Sequence, residues 1–479
     1  MLRHRELHLI LKCAEFSGCV VPCSPHTAGF NAPFHAARFH FVASGNHVQA
    51  SHDTVAVTGY FQALRLFNRN VRIFILSALL LGFAFFGIYA VLLNLYLLRL
   101  GYGPTVVGLV NGMGFVAYAV FSLPAGALGA RFGTRRMLQV GFVLAALGMG
   151  LLPAAQFLEG GAQVAWIAVT YTITSMGLDA YFVNSNPFML QSTTPRERMY
   201  LYSLRVGMSP IAAFVGALVG GLLPGTLAGL LPVTDTASFA LSLLVAAVAL
   251  LIGVVALCNT TETATRVDDE EAPVRASRSS SGLPVLIIAM MGLVIMLRIA
   301  SEGAQRTFFN VYLDEILAMP TAQIGLLAAC GQLIGGFAAL MTPYISRRWD
   351  LEPVIVWASL GMAVSTVAFA LIPHWAGAAI GYAGLVSFTY IQRPCSLRHT
   401  MEVVPARWRE TAAGVANMVA GIGWGTMGFA GGFFVSIYGY QSFFLISAGL
   451  TGISAVVFFW YFGLPRRKTP GEQRAGALH

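Results

Sequence analysis

Arg298, Glu302 and Arg306 stand four residues apart in a stretch that is apolar on either side. Four residues advance an α-helix by about 400°, so the three side chains share one stripe that drifts by about 40° per step. Gln305 and Asn310 extend the polarity towards one end of the same segment. Asp179 lies inside a second apolar segment and is followed by Tyr181, Asn184 and Asn186. Arg205, and the neighbours Gln392 and Arg393, are further polar groups set within such runs. A carboxylate that moves between an apolar environment and the neighbourhood of an arginine can take up and release a proton. Four arginines against two acids also favour an anionic or zwitterionic ligand. The plainer alternative is structural pairing, Glu302 with its own helical neighbours and Asp179 with an arginine such as Arg205. The runs hold no nucleophile–base arrangement and no metal-ligand spacing. Neither an enzyme nor a cofactor nor a metal is expected.

Such groups need elements that carry them through an apolar medium. Hydrophobic residues make up 57% of the 479, and charged residues only 10%. A soluble fold of this size covers its exterior with charge, so the composition points to a membrane protein. From Arg72 onward, apolar runs of the length needed to cross a bilayer, about 20 residues, alternate with short polar or Gly/Pro breaks. Twelve spans are expected, near 72–98, 105–128, 137–155, 163–190, 200–224, 234–257, 284–312, 320–344, 353–373, 375–397, 409–436 and 440–463. The runs are too long for barrel strands, and in lipid the backbone must satisfy itself, so each is a helix.

The basic residues orient the spans. Alternate loops carry Arg131, Arg135 and Arg136; Arg196 and Arg198; Arg266, Arg275 and Arg278; Arg347 and Arg348; Arg398, Arg407 and Arg409; and Arg466, Arg467, Lys468 and Arg474. The loops between them carry Arg99 alone. The positive-inside rule makes the first set cytoplasmic, with both termini inside the cytoplasmic membrane. The net charge of +9 is therefore a matter of topology, and no nucleic-acid partner is expected.

Residues 258–283 are polar and rich in Ser, Thr and acids, as a flexible cytoplasmic linker would be. The linker separates a six-helix bundle at 71–257 from a second at 284–463, and residues 464–479 form a short cytoplasmic tail. The halves echo each other. NLYLLRLGYGPTVVGL (94–109) matches NVYLDEILAMPTAQIGL (310–326) at an offset of 216 residues, the final Gly-Leu arriving one residue later. A second echo links PFMLQSTTPRER (187–198) with PCSLRHTMEVVPARWRE (394–410). Weak parallel repeats of six helices mark transporters that bind solute between their halves. Residues 1–70 stand apart, with seven of the ten histidines and three of the six cysteines. Their spacing fits no zinc pattern, and Lys12 and Glu15 interrupt any signal-peptide core. They are expected to be a disordered cytoplasmic tail, or to lie upstream of the true start.

The expected fold is thus all-α and polytopic, with twelve transmembrane helices in two pseudo-symmetric six-helix bundles. It resembles the major facilitator superfamily of secondary transporters over residues 71–463. The most specific local match is GALGARFGTRR, between the second and third spans. The family's turn reads roughly G-x-L-x-D-R-x-G-R-R. Gly126, Leu128, Arg131, Gly133, Arg135 and Arg136 fit it, with Thr134 as a one-residue shift. Ala130 stands where the family has aspartate. The matching turn after the eighth span keeps only Arg347 and Arg348. The resemblance implies that this turn belongs to the cytoplasmic gate, whose charge lock Ala130 would weaken. It also implies that spans 1, 4, 7 and 10 line a cavity. Asp179, Asn184, Arg298, Glu302, Gln305, Arg306, Gln392 and Arg393 are then the candidates for solute binding and ion coupling.

Glycines in GALVGGLLPG (216–225) and GIGWGTMGFAGG (421–432) are expected to let helices pack closely and rock. Gly216, Gly220 and Gly221 loosely match the family's antiporter pattern, which implies export. Tyr96, Tyr171, Tyr181, Phe388, Tyr390 and Trp424 are candidates for stacking on solute, against the commoner reading of helix packing. The expected function is a monomeric, proton-coupled secondary transporter of a small molecule. The alternative is a transporter-like sensor or scaffold that uses its linker and tails.

Overall fold

The computed structural model describes residues 68–193, 195–260, 285–405 and 408–463. Most of the expected N-terminal tail, nearly all of the linker, and residues 464–479 lie outside them. Among the described residues every regular element is helical. The first half comprises α1 (Arg69–Arg99), α2 (Pro104–Phe132), α3 (Thr134–Phe157), α4 (Gly160–Ser192), α5 (Pro195–Leu230) and α6 (Asp235–Cys258). The second comprises α7 (Val285–Glu315), α8 (Thr321–Arg348), α9 (Leu351–Leu371) and α10 (Trp375–Val403), then α11 (409–438) and α12 (440–463). A break at Gly439, with φ of 79°, separates the last two. That backbone conformation suits glycine. Gly133, with φ of 92°, turns the chain between α2 and α3 in the same way.

Local chemistry explains several of the boundaries. Pro104 opens α2, where its missing N–H costs nothing. Thr234 accepts from the Ala237 N–H at 3.2 Å to cap α6. Nine helical stretches among the described residues are long and apolar enough to cross a membrane, the last of them, Thr411–Gly463, running through both α11 and α12. α4 and α10 fall short of that standard. They are the helices that carry Asp179 with Asn184 and Asn186, and Gln392 with Arg393 and Arg398.

Two glycine seams join the halves. Gly108 of α2 lies so close to Gly428 and Gly432 of α11 that neither side has room for a Cβ, and Gly221 of α5 meets Gly325 of α8 in the same manner. Gly108 and Gly325 are repeat mates, as are their helices. Backbone approaches of this kind give helix contact in lipid without needing a hydrophobic driving force. The bundle has a basic end, with the 131–136 turn and the Arg347–Arg348 pair, and an opposite end, with Arg99 and Asp314.

Candidate functional site

α7 brings its three charged residues together as their spacing predicts. Arg298 Nη1 donates to Glu302 Oε2 at 3.3 Å, and Arg306 Nε donates to Oε1 at 3.0 Å, with Nη2 of the same guanidinium also 3.0 Å from that oxygen. The Glu302 and Arg298 side chains are only 5% and 7% exposed, so the pair is desolvated and depends on its mutual bonds. Arg306 is 38% exposed. Tyr118 of α2, Tyr171 of α4, and Tyr382 and Tyr390 of α10 lie within range of its charge.

Trp424 of α11 gathers the second arginine. The Arg306 Cζ lies 4.9 Å from the indole centroid, and the Arg393 Cζ of α10 lies 5.8 Å from it. Both distances suit cation–π attraction. One ring therefore holds two guanidiniums from different helices, beside a carboxylate already committed to Arg298 and Arg306. The cluster keeps a surplus of positive charge.

Across from it, α4 supplies Asp179. This residue is fully buried, and neither carboxylate oxygen makes a well-formed hydrogen bond. The Ser122 hydroxyl of α2 is its nearby polar neighbour. Tyr118, one helical turn before Ser122, feels the charges of Asp179, Arg393 and Arg306 together. Sequence reasoning missed Tyr118 and Ser122. Their four-residue spacing on α2 was the available signal.

The remaining candidates do other things. Gln305 turns to α9, where its Nε2 donates to Thr366 Oγ1 at 3.3 Å. Asn184 donates to the Ala125 carbonyl at 3.2 Å and the Ala180 carbonyl at 2.9 Å, fastening α4 to α2 beside Gly129. Gln392 is buried, with Oε1 unpartnered. Arg205 does not reach Asp179. It donates to Asn186 Oδ1 at 3.3 Å and lies over the Phe74 ring. Of the expected aromatics, Trp424 lies directly against two guanidiniums of the site, and the others are seen in packing and hydrogen bonds. Tyr96 donates to the Pro153 carbonyl, Tyr171 stacks on Tyr89, Tyr181 packs with Phe74 and Phe142, Tyr390 reaches Gln332, and Phe388 packs on Gly361.

At the basic end, Arg135 donates to Thr260 Oγ1 at 2.9 Å and to the Cys258 carbonyl at 3.4 Å. A cation there complements the C-terminal end of α6. Gly126 faces Val183 of α4, Arg131 lies over Phe132, and Ala130 and Arg136 are exposed. Among the described residues no ion pair engages the three arginines of this turn, and no group of His, Cys, Asp or Glu has the geometry to hold a metal. An apolar groove of about 450 Å³ opens between the first turns of α7 and α11, lined by residues such as Val285, Met296 and Ile422. It has no polar lining side chain to hold a charged solute.

Charged groups drawn from both halves and held at the middle of a polytopic helical bundle define a solute carrier. The sequence pattern of the Major Facilitator Superfamily matches residues 74–428 and 388–478, and the chain belongs to that superfamily. It is a transporter and not an enzyme. The fold is shared with a D-xylose–proton symporter at a TM-score of 0.66 and 14% identity, over 84% of this chain and 98% of the symporter. A peptide transporter in complex with sulfate aligns at a TM-score of 0.65 and 14% identity, over 82% and 94% of the two chains. The nucleoside transporter NupG aligns at 0.62 and 16% identity, over 83% and 100%. No curated protein sequence matches the chain.

Proposed function

We propose that the protein moves a small anionic or zwitterionic solute across the cytoplasmic membrane by alternating access, coupled to protons and directed outward. The observation that carries this reading is the Arg306–Trp424–Arg393 arrangement, with Asp179 unpaired on the facing half. Two guanidiniums on one ring offer an anion a charged, partly dry seat. Glu302 is committed to two arginines, so Asp179 is the carboxylate free to exchange a proton. The basic end is cytoplasmic by the positive-inside rule, which puts both termini inside. The outward direction follows the loose match of Gly216, Gly220 and Gly221 to the family's antiporter pattern. The reading takes the monomer as the working unit, with the bilayer as its surroundings.

Counterflow in proteoliposomes against sugars, organic anions and lipophilic drugs tests the reading. Exchange of organic anions, reversed in preference by Arg393→Glu, is the expected result. Exchange confined to neutral sugars would overturn the anion assignment.

A further inference from the structure

Two asparagines at equivalent places in the sequence repeat clasp α1 to α7. Asn94 and Asn310 are repeat mates at the offset of 216, and so are Val91 and Thr307. Asn94 Nδ2 donates to the Thr307 carbonyl at 2.7 Å. Asn310 Nδ2 donates to the Val91 carbonyl at 3.0 Å and to the Ala90 carbonyl at 2.7 Å. Each half thus gives the other the same bond, from the same register of the same helix. Both asparagines are nearly fully buried. The accepting carbonyls lie within helices and have a second lone pair to offer.

The two-fold relation ends there. Asn111 of α2 donates to Asn94 Oδ1 at 2.8 Å and so fixes which way that amide points. Leu327 and Ala328 occupy the corresponding place in α8, so Asn310 has no such guide. Towards the rim, Arg99 makes a two-pronged bond to Asp314 at 2.8 and 2.7 Å and a further contact to Asp235 at 2.9 Å. Thr105 and Ser436 share a hydrogen bond at 2.7 Å. All of these contacts lie towards the end opposite the basic turn.

We infer that Asn94 and Asn310 form the latch of the outer gate. They are positioning residues: their bonds hold α1 against α7 while the solute site is shut off from the outside, and the bonds break together when it opens. The inference rests on the alternating-access reading above. The asparagines set the closed state together with Arg99 and Asp314, whose two-pronged pair is part-buried. A buried amide left without a partner is costly, so the clasp bonds favour the closed state. Opening separates the clasp bonds.

The test uses the full chain in proteoliposomes, with Cys13, Cys19, Cys23, Cys258, Cys330 and Cys395 replaced by serine. Nitroxide labels at Thr234→Cys and His374→Cys, both exposed at the opposite end and one in each half, report its opening by pulsed EPR distances. Asn94→Ala and Asn310→Ala should each shift the closed-to-open ratio towards open by on the order of tenfold, the worth of about one buried hydrogen bond. Asn310→Gln, which keeps the donor, should recover part of the closed population. Asn111→Ala should shift the ratio less, and should add nothing in the Asn94→Ala background, because it acts through that amide. An unchanged distance distribution in folded Ala variants overturns the latch, as does an Asn111→Ala effect that persists without Asn94. Should an Ala variant fail to fold, Asn111→Ala alone decides the matter, an unchanged distribution again overturning it. The distances need no solute. Shifted distances with no transport of any tested solute would therefore fault the functional reading alone, and unchanged distances with intact transport would fault the latch alone.

Discussion

Glu302→Gln removes the negative charge between Arg298 and Arg306 while keeping the shape of the side chain. Arg298 is then a cation only 7% exposed, with its Nε already unpartnered and no carboxylate on its own stripe. Breaking a buried pair in this way costs about 3–5 kcal/mol. The amide keeps one carbonyl oxygen, and a hydrogen bond from a charged donor returns about 1.5–3 kcal/mol of that. Arg306 is 38% exposed and solvent screens it, so its share is under about 1 kcal/mol. The expected net loss is about 2 kcal/mol, or roughly thirtyfold in the folding equilibrium. The assay is reversible unfolding of the purified chain in mixed micelles of increasing SDS content, followed by tryptophan fluorescence. Arg298→Met supplies the partner measurement, since it removes the cation that Glu302 neutralises. In the Arg298→Met background, Glu302→Gln should cost less than about 1 kcal/mol, and the difference between backgrounds is the coupling. Costs that simply add, or a single-variant loss under about 0.5 kcal/mol, would show that the cluster is solvated and refute the argument.

Three other outcomes are expected. Asp179→Asn should retain counterflow but lose accumulation driven by a pH gradient, which for one coupled proton amounts to about tenfold per pH unit; accumulation equal to the unmodified protein would remove Asp179 from the coupling. Arg393→Gln should raise the KM for organic anions by about tenfold, the effect of losing one charge-assisted contact, and leave neutral solutes unaffected; equal changes for both classes would point to packing instead. Ala130→Asp places a carboxylate beside Arg131 in the last turn of α2, where the helix end disfavours it by about 0.3–1 kcal/mol. It should slow turnover with little change in KM, by giving the closed basic end a charge to hold, and a transport profile like that of the unmodified protein would sink the idea.

Much of this was legible in the sequence because it is local. The stripe of Arg298, Glu302 and Arg306 follows from helical spacing alone, and the bonds at 3.3 and 3.0 Å follow from the stripe. The helix limits agree with the hydropathy breaks to within a few residues for most spans, since lipid leaves the backbone no alternative to helix. Contacts between helices distant in sequence were not legible. Nothing local says that Trp424 receives Arg306 and Arg393, or that Tyr118 lies within range of both them and Asp179. The pairing of Arg205 with Asp179 was a charge argument, and it failed because Arg205 is held instead by Asn186 and the face of Phe74. The echo between 94–109 and 310–326 was visible as a repeat. That its two asparagines touch each other's helices was not, because a repeat gives equivalence and leaves contact unspecified.

The places where the repeat survives and where it fails divide the labour of the molecule. At the end opposite the basic turn part of the equivalence survives: Asn94 and Asn310 exchange the same bond, and Gly108 and Gly325 open matching seams, while the Asn111 bond and the Arg99–Asp314 pair have no counterpart among the described residues. At mid-depth the equivalence is gone. The second half holds three arginines with one glutamate, and the first holds an aspartate with tyrosine and serine near it. A small solute has no two-fold axis, so a symmetric seat would waste half its contacts, whereas an asymmetric one can put anion binding on one body and proton exchange on the other. α4 and α10 mark the consequence. They gave up the apolarity a lone membrane helix needs, and a polar helix of that kind stays in a bilayer only while its neighbours cover it. The site thus depends on the bundle around it for its stability, and the bundle depends on the glycine seams and the asparagine clasp to bring its two halves together.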